Sequence, residues 1–520
     1  MGTGYRVRGF EAVFLLASVL AIAPLWVAEK PPLVDLPQHA GQLAIGAAWE
    51  DQPWLQQVYE PNLWANQLVV PALVWAFQGH VAVLDALRIV LSLAILAFLA
   101  AVWLWIRDAG GDRWWVFLVL PTVYGYALRW GFVSFCLAVP LSLVVLLGLR
   151  RFGERPSWRL ALALSGGVIV LFFTHVLMLV WLGAVGGGLA LTMRVPQRVR
   201  FAMLAILAIA VPLLLVWWFG GGSPSTGMGS AISFGHERGI TVLSSIVGWP
   251  AGPWAAGFGL VLLAAPWAFG ARPHRETWRW IPLAATVGFL GLVPLEAFGT
   301  ALLYPRYALL LLPTLLIALR PTRSRRLVVA AVIAAALVWQ VVVIWTFRRF
   351  DAESRDAVAM LERIPARARV LGIIERPASE AVPWYPYLHF AQWYQAEGGG
   401  VVDFSFSDFF PARYRYRPEA RSGLPAHSEW RPEALRWDRH RGEIYDFVVL
   451  RRAVAWPSPR SVGPAPARAG DRLELVARAG EWELWRRSGT RGLVPAGDSG
   501  DQSGAAVAGD VAPGPLDQDQ

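Results

Sequence analysis

Apolar runs recur along the chain from about residue 10 to residue 346, each close to the ~20 residues a helix needs to cross a bilayer. The pattern predicts spans near 10–27, 80–106, 113–128, 130–149, 160–173, 174–193, 201–219, 252–270, 280–297, 303–319 and 327–346, about eleven crossings. Beyond residue 346 the period changes. Residues 351–363 space their apolar positions as an amphipathic helix, 369–374 and 445–450 as buried strands, and 473–485 as a hairpin turning near Gly480. From about Ser488 the chain has too few large apolar residues to bury a core, and a disordered tail is expected over 489–520. The expected architecture is an α-helical polytopic membrane domain over 1–349, followed by a small α/β domain over 350–488.

Composition agrees with that pattern. Hydrophobic residues make up 56% of the 520 and the mean hydropathy is +0.44, outside the soluble range. The net charge of +10 resides in short arginine clusters between apolar runs rather than on one face or tail, which argues for topology signals and against nucleic acid. The single cysteine, Cys136, lies within an apolar run, so neither an intrachain disulfide nor a thiolate metal cluster is available. Pro24, directly after the small triplet Ala21 to Ala23, argues against signal cleavage and leaves the first run as a span.

Alternate loops differ in charge. Arg6 and Arg8, Arg107 and Arg113, Arg150 to Arg159, Arg194 to Arg200, Arg272 to Arg279 and Arg320 to Arg326 fall on one side, which the positive-inside rule makes cytoplasmic. The opposite side holds loop 28–79 with Lys30 alone, the stretch 220–251 with Arg238 alone, and everything after residue 347. Residues 63–78 are too apolar for an ordinary loop. As a full span they would turn the arginine clusters outward, so they are expected to form an interfacial helix with Trp54, Tyr59, Trp64 and Trp75 at headgroup level; a short twelfth span is the alternative.

The sharpest local feature follows the first span: Pro31-Pro32-Leu33-Val34-Asp35-Leu36-Pro37-Gln38-His39. The prolines stiffen the exit from the bilayer and hold Asp35 and His39 near its surface. A carboxylate there can act as a general base or bind a divalent cation such as Mg or Mn, and equally can cap the helix starting at Leu36. Further costly ionisable or polar residues fall near the same surface: Arg129, His175, Glu296 and Arg306 within Tyr304-Pro305-Arg306-Tyr307. Such groups in apolar surroundings pair, snorkel or line a polar cavity. In one cavity, Arg306 would grip a lipid phosphate while Asp35 takes a proton from an attacking hydroxyl, the chemistry of sugar transfer with inversion. No second carboxylate of a retaining pair is adjacent. Walker, zinc-protease and nucleophile-elbow motifs are absent from the sequence.

A first span, an outer loop opening on an Asp-X-Pro-X-His type motif, about eleven spans and an extracytoplasmic C-terminal domain resemble the GT-C superfamily of polyprenyl-phosphate-sugar-dependent glycosyltransferases. The stretch from Tyr124 to Phe132, with Pro140, and His389 followed by Gly398-Gly399-Gly400 are similar to uncharacterised bacterial membrane proteins of this architecture. The resemblance implies a bacterial plasma-membrane enzyme, a polyprenyl-phosphate sugar donor and a lipid, glycan or protein acceptor. It places Asp35 at the catalytic aspartate position and makes Arg306 a candidate phosphate contact; the grouping of polar residues near one surface adds His39 as a catalytic candidate and His175, Arg129, Glu296 and Tyr304 as candidate substrate contacts. The motif carries one acidic residue rather than a Glu-Asp or Asp-Asp pair, so Asp35 would be the ligand of any metal. The aromatic cluster Trp384 to Tyr394 reads either as a sugar-binding face or as the core of a small domain. A transporter of lipid-linked sugars and a catalytically silent scaffold are the competing readings.

Overall fold

Runs of Leu, Val and Ala with little Gly or Pro in their interiors form the longest helices, because they lose little rotamer freedom and can bury every backbone polar group internally. The computed structural model describes residues 4–222, 234, 238–248, 253–268, 270–297, 300–320, 326–408, 412–424, 428–437, 439–452 and 473–488. The expected tail over 489–520 lies outside the described residues. Among the described residues four helical stretches are long and apolar enough to cross a membrane: Val83–Asp108, Val133–Glu154, Gln197–Gly220 and Arg326–Leu361. Shorter apolar helices, including Gly9–Ile22, Trp158–Thr174, Val176–Thr192 and Pro253–Ala268, pack around them.

Several segments depart from the expected spans where proline or a polar turn intervenes. Residues 113–128 are a 3-10 helix, Arg113–Thr122, containing Pro121, then a break and the short helix Tyr126–Arg129. The stretch 303–319 opens as the 3-10 helix Tyr304–Leu310 before Leu311–Ala318. The span expected at 280–297 stops at Leu292, and Ala297 forms an isolated antiparallel bridge with Thr300. Residues 63–78 contain one short helix, Val69–Trp75, and Tyr59, expected at the surface, is fully buried in a strand. The break expected near residue 346 is missing: Arg326–Leu361 is one 36-residue helix carrying the apolar run into the C-terminal part.

There the chain forms a five-stranded sheet of β1 (Arg369–Ile374), β2 (Val401–Asp403), β3 (Phe447–Arg451), β4 (Leu473–Ala479) and β5 (Trp482–Arg487), in the order β2-β1-β3-β5-β4. β1 runs parallel to β2 and β3, and the β4–β5 hairpin continues the sheet antiparallel. β3 is buried at every position, as a strand covered on both faces must be. The aromatic cluster is mostly core: Trp384, Tyr387, Phe390, Trp393 and Tyr394 are buried, and Tyr387 packs on Phe350 of the long helix and on Trp482.

The first loop is built into this C-terminal layer. Its strand Tyr59–Pro61 pairs antiparallel with Tyr414–Tyr416, and its helix Leu36–Ala47 lies against the helix Gln392–Gly398. Gly41 allows that approach, since a Cβ there would sit 2.7 Å from Gln395 Oε1. Lys30, the sole lysine, is buried at the junction, paired with Glu397 and 5.5 Å above the Trp393 ring. The arginine-bearing loops meet elsewhere: Arg150 pairs with Asp108 and lies over Trp278, and Arg272–Pro273 pairs with Leu319–Arg320.

Candidate active site

Asp35 is placed by backbone. Val34 and Asp35 donate N–H groups to the carbonyls of Arg129 (3.1 Å) and Trp130 (2.9 Å), which fixes the start of helix Leu36–Ala47 against the break after Tyr126–Arg129. Gly131, at φ +78°, permits this contact; a Cβ there would lie 2.9 Å from the nitrogen of Leu36. Trp384 Nε1 donates to the carbonyl of Pro32 at 2.6 Å and secures the proline segment. Asp35 occupies the N-cap position, but its side chain accepts no capping hydrogen bond. Its carboxylate lines a cavity of about 690 Å³ instead.

Asp35, His39, His175, Glu296 and Arg306 all line that cavity. Arg129 and Tyr304, grouped with them on sequence grounds, are not among its lining residues. The Arg129 guanidinium turns to the carbonyl of Gly248 (2.6 Å) and lies over the rings of Tyr126 and Trp384. Tyr304 is buried beneath Arg238, whose guanidinium stands 4.0 Å from its ring and also donates to the carbonyls of Leu290 (2.8 Å) and Val293 (2.6 Å) at a helix end.

Arg306 is held rigidly. Nε and Nη2 donate to the carbonyls of Leu302 (2.9 Å) and Ala301 (2.8 Å), and the guanidinium lies 3.6 Å over the Phe132 ring. Leu302 has φ +59°, a strained value for a branched side chain, in the turn that presents these carbonyls. Among the described residues none accepts from Nη1, which is left for a ligand. His175 sits between Trp158–Thr174 and Val176–Thr192, where its Nδ1 accepts from the N–H of Leu177 at 3.3 Å. That bond leaves the ring hydrogen of the neutral form on Nε2.

The C-terminal layer contributes His389, marked in the sequence only by its resemblance and given no role, and the unmarked Arg413, Glu429 and Arg431. His389 Nε2 stands 3.5 Å from Asp35 Oδ1. Helix Leu36–Ala47 is tied to this layer by two glutamines one turn apart. Gln38 accepts from the N–H of Phe406 (2.9 Å) and donates to the carbonyl of Phe404 (3.2 Å); Gln42 accepts from the N–H of Tyr414 (2.9 Å) and donates to Ser407 Oγ (2.7 Å). Their i, i+4 spacing, flanking His39 on a helix otherwise apolar, was the available sequence signal.

Burial dominates the electrostatics. It pushes the Asp35 carboxyl up from 3.8 to about 7, against the opposing charge of Arg306 and with a further push from Glu429. Glu429 is itself raised by burial to about 7. Burial, then the charge of Arg306, lowers His39 to about 4, and burial, then His39, lowers His389 to about 3. Near neutral pH the carboxyls of Asp35 and Glu429 are therefore close to their midpoints, beside the uncharged imidazoles of His39 and His389 and a fixed guanidinium, an arrangement suited to proton abstraction beside an anion.

Among the described residues no three His, Cys, Asp or Glu side chains converge to hold a metal ion. Asp35 faces His389 Nε2 at 3.5 Å and the cationic Arg306.

No family model matches the chain, and no curated protein matches it. In structure the chain is similar to ArnT from Cupriavidus metallidurans bound to undecaprenyl phosphate, at 12% identity and a TM-score of 0.47 over 93% of this chain and 98% of that one. It is also similar to the arabinofuranosyltransferase AftD from mycobacteria, at 16% identity and a TM-score of 0.48 over 91% of this chain and 39% of that one.

Proposed function

We propose that the chain is an integral membrane glycosyltransferase that moves a sugar from a polyprenyl-phosphate donor to a lipid, glycan or protein acceptor, with inversion at the anomeric carbon. The observation that carries this reading is the single cavity in which a carboxyl titrating near neutrality shares space with the fixed guanidinium of Arg306.

The acceptor hydroxyl oxygen attacks the anomeric carbon and gives its proton to Asp35. The bond from that carbon to the phosphate oxygen breaks, and its electron pair stays on the lipid phosphate. Arg306 Nη1, with Arg413 and Arg431 lining the same cavity, offsets the growing phosphate charge. His39, uncharged and one turn from Asp35, offers a hydrogen-bonding ring to the sugar hydroxyls. Trp75, Val70 and Phe132 supply an apolar wall for the first isoprene units. On this reading the face lies outside the cytoplasm of a bacterial plasma membrane, a side supported by the arginine-rich loops falling opposite it.

The test uses the full chain in proteoliposomes with a panel of polyprenyl-phosphate hexoses and pentoses. Release of polyprenyl phosphate with formation of an inverted glycoside supports the reading. Movement of intact donor across the bilayer without cleavage would instead establish a transporter and refute it.

A further inference from the structure

The proposed base does not stand alone, and its nearest titratable partner arrives from a point in the chain more than 350 positions later. His389 is buried, its ring stacked on Phe404 at 5.9 Å and meeting the edge of Phe406 at the same distance. Which of its nitrogens carries the hydrogen follows from its neighbour. Two backbone groups fix the Gln38 amide: Oε1 accepts from the N–H of Phe406 and Nε2 donates to the carbonyl of Phe404. Nε2, a donor only, also faces His389 Nδ1 at 3.4 Å. Nδ1 must therefore accept, and the hydrogen of the neutral ring sits on Nε2, toward Asp35 Oδ1.

We infer that His389 is a positioning residue: an uncharged imidazole, locked by Gln38 in the Nε2–H tautomer, that donates to Asp35 Oδ1 and leaves Oδ2 to take the acceptor's proton. This deepens the glycosyl-transfer reading and rests on it only for the identity of that proton. A donor aimed at a carboxylate favours its ionised form and so opposes burial. The distance of 3.5 Å is long for a hydrogen bond, as contacts in ligand-free sites often are. The other charged or titratable groups facing Asp35 are Arg306, Glu429, Tyr126 and, along its own helix, His39; His175 and Glu296 line the same cavity. None of these fixes the orientation of the carboxylate, since none hydrogen-bonds it. The consequence is that the C-terminal layer is part of the catalytic centre, and the tie at Gln38 serves chemistry as well as docking.

The experiment is a pH titration of the Asp35 carboxyl by infrared difference spectroscopy on the purified full chain, the band being assigned by its loss in Asp35→Asn. In His389→Phe, which keeps a flat ring between Phe404 and Phe406, the midpoint is expected to move up by about 1 pH unit. His389→Gln, which retains a donor, should restore most of the shift. An unchanged midpoint in His389→Phe would overturn the inference. Nitrogen chemical shifts of His389 in the unmutated protein give a second reading that no folding defect can obscure: a neutral Nε2–H ring is expected from pH 5 to 8, and an Nδ1–H ring or an imidazolium would contradict it. A shifted midpoint in a protein that transfers no sugar would sink the glycosyltransferase reading and leave the role of His389 standing.

Discussion

Two buried aspartates in this chain differ in what surrounds them. Asp403, wholly inaccessible at the end of β2, is paired with the Arg369 guanidinium at 3.0 Å, and Arg369 in turn donates to the carbonyl of Ala420. Asp35 is nearly as buried, yet its only ion-pair partner within 4 Å among the described residues is an uncharged imidazole, and its carboxyl is pushed to about 7. Burial is common to both. What distinguishes the two is whether a permanent cation is hydrogen-bonded to the carboxylate, as Arg369 is to Asp403 Oδ2.

The comparison predicts opposite outcomes for the same substitution. Asp35→Asn should lower sugar transfer by about 10²–10⁴-fold, the usual worth of a general base, while the protein folds normally. Asp403→Asn should leave the Arg369 charge buried without its carboxylate and destabilise the fold by about 3–5 kcal/mol, seen as a lower Tm, with activity per folded molecule largely kept. Finding both losses in both variants would erase the distinction.

Arg306→Gln should raise the donor KM and lower kcat/KM by about 10–100-fold, because a charge-assisted contact to phosphate is removed. It should also move the acidic limb of the rate profile upward, since the Arg306 charge holds the Asp35 carboxyl down. In the unmutated protein that limb should rise with pH and reach half its height near 7, where Asp35 loses its proton. The same group gives a stability signature. Its carboxyl is raised above 3.8 by folding, so the folded state binds the extra proton between 3.8 and about 7, and stability falls as pH rises through that window. Asp35→Asn should therefore raise Tm at pH 8 and leave it unchanged at pH 3.5, which thermal melts in detergent will show. The smallest effect is expected at Lys30→Met. Its loss should loosen the junction between the first loop and helix Gln392–Gly398 by about 1 kcal/mol, read as faster hydrogen exchange in residues 392–398.

How much of this was legible in the sequence depended on what each residue needed. Hydropathy and the cost of ionisable groups in apolar surroundings grouped Asp35, His39, His175, Glu296 and Arg306, and these five line one cavity. The same cost flagged Arg129, because hydropathy shows that a polar group must be satisfied but not by what; the carbonyl of Gly248 satisfies it elsewhere. Strand β1 was readable at its full length from a buried β-branched run. The 3-10 segment Arg113–Thr122 was not, since an apolar run of span length gives no warning that Pro121 will interrupt its ladder. The unbroken helix Arg326–Leu361 was missed because Arg348, Arg349 and Asp351 look like a domain boundary, although charge at a membrane exit does not stop a helix. The place of Glu429, and the contact of His389 with Asp35, were invisible for a different reason: tertiary docking brings them together, and no local period records a contact across hundreds of residues.

The central claim is that Asp35 takes the proton of an acceptor hydroxyl beside a lipid phosphate held by Arg306. It is tested most directly by single-turnover transfer from a polyprenyl-phosphate sugar in proteoliposomes, comparing the unmutated chain with Asp35→Asn at equal bound donor. Unchanged donor binding and loss of the transfer step are expected in the variant. Transfer at the unmutated rate in Asp35→Asn would contradict the claim.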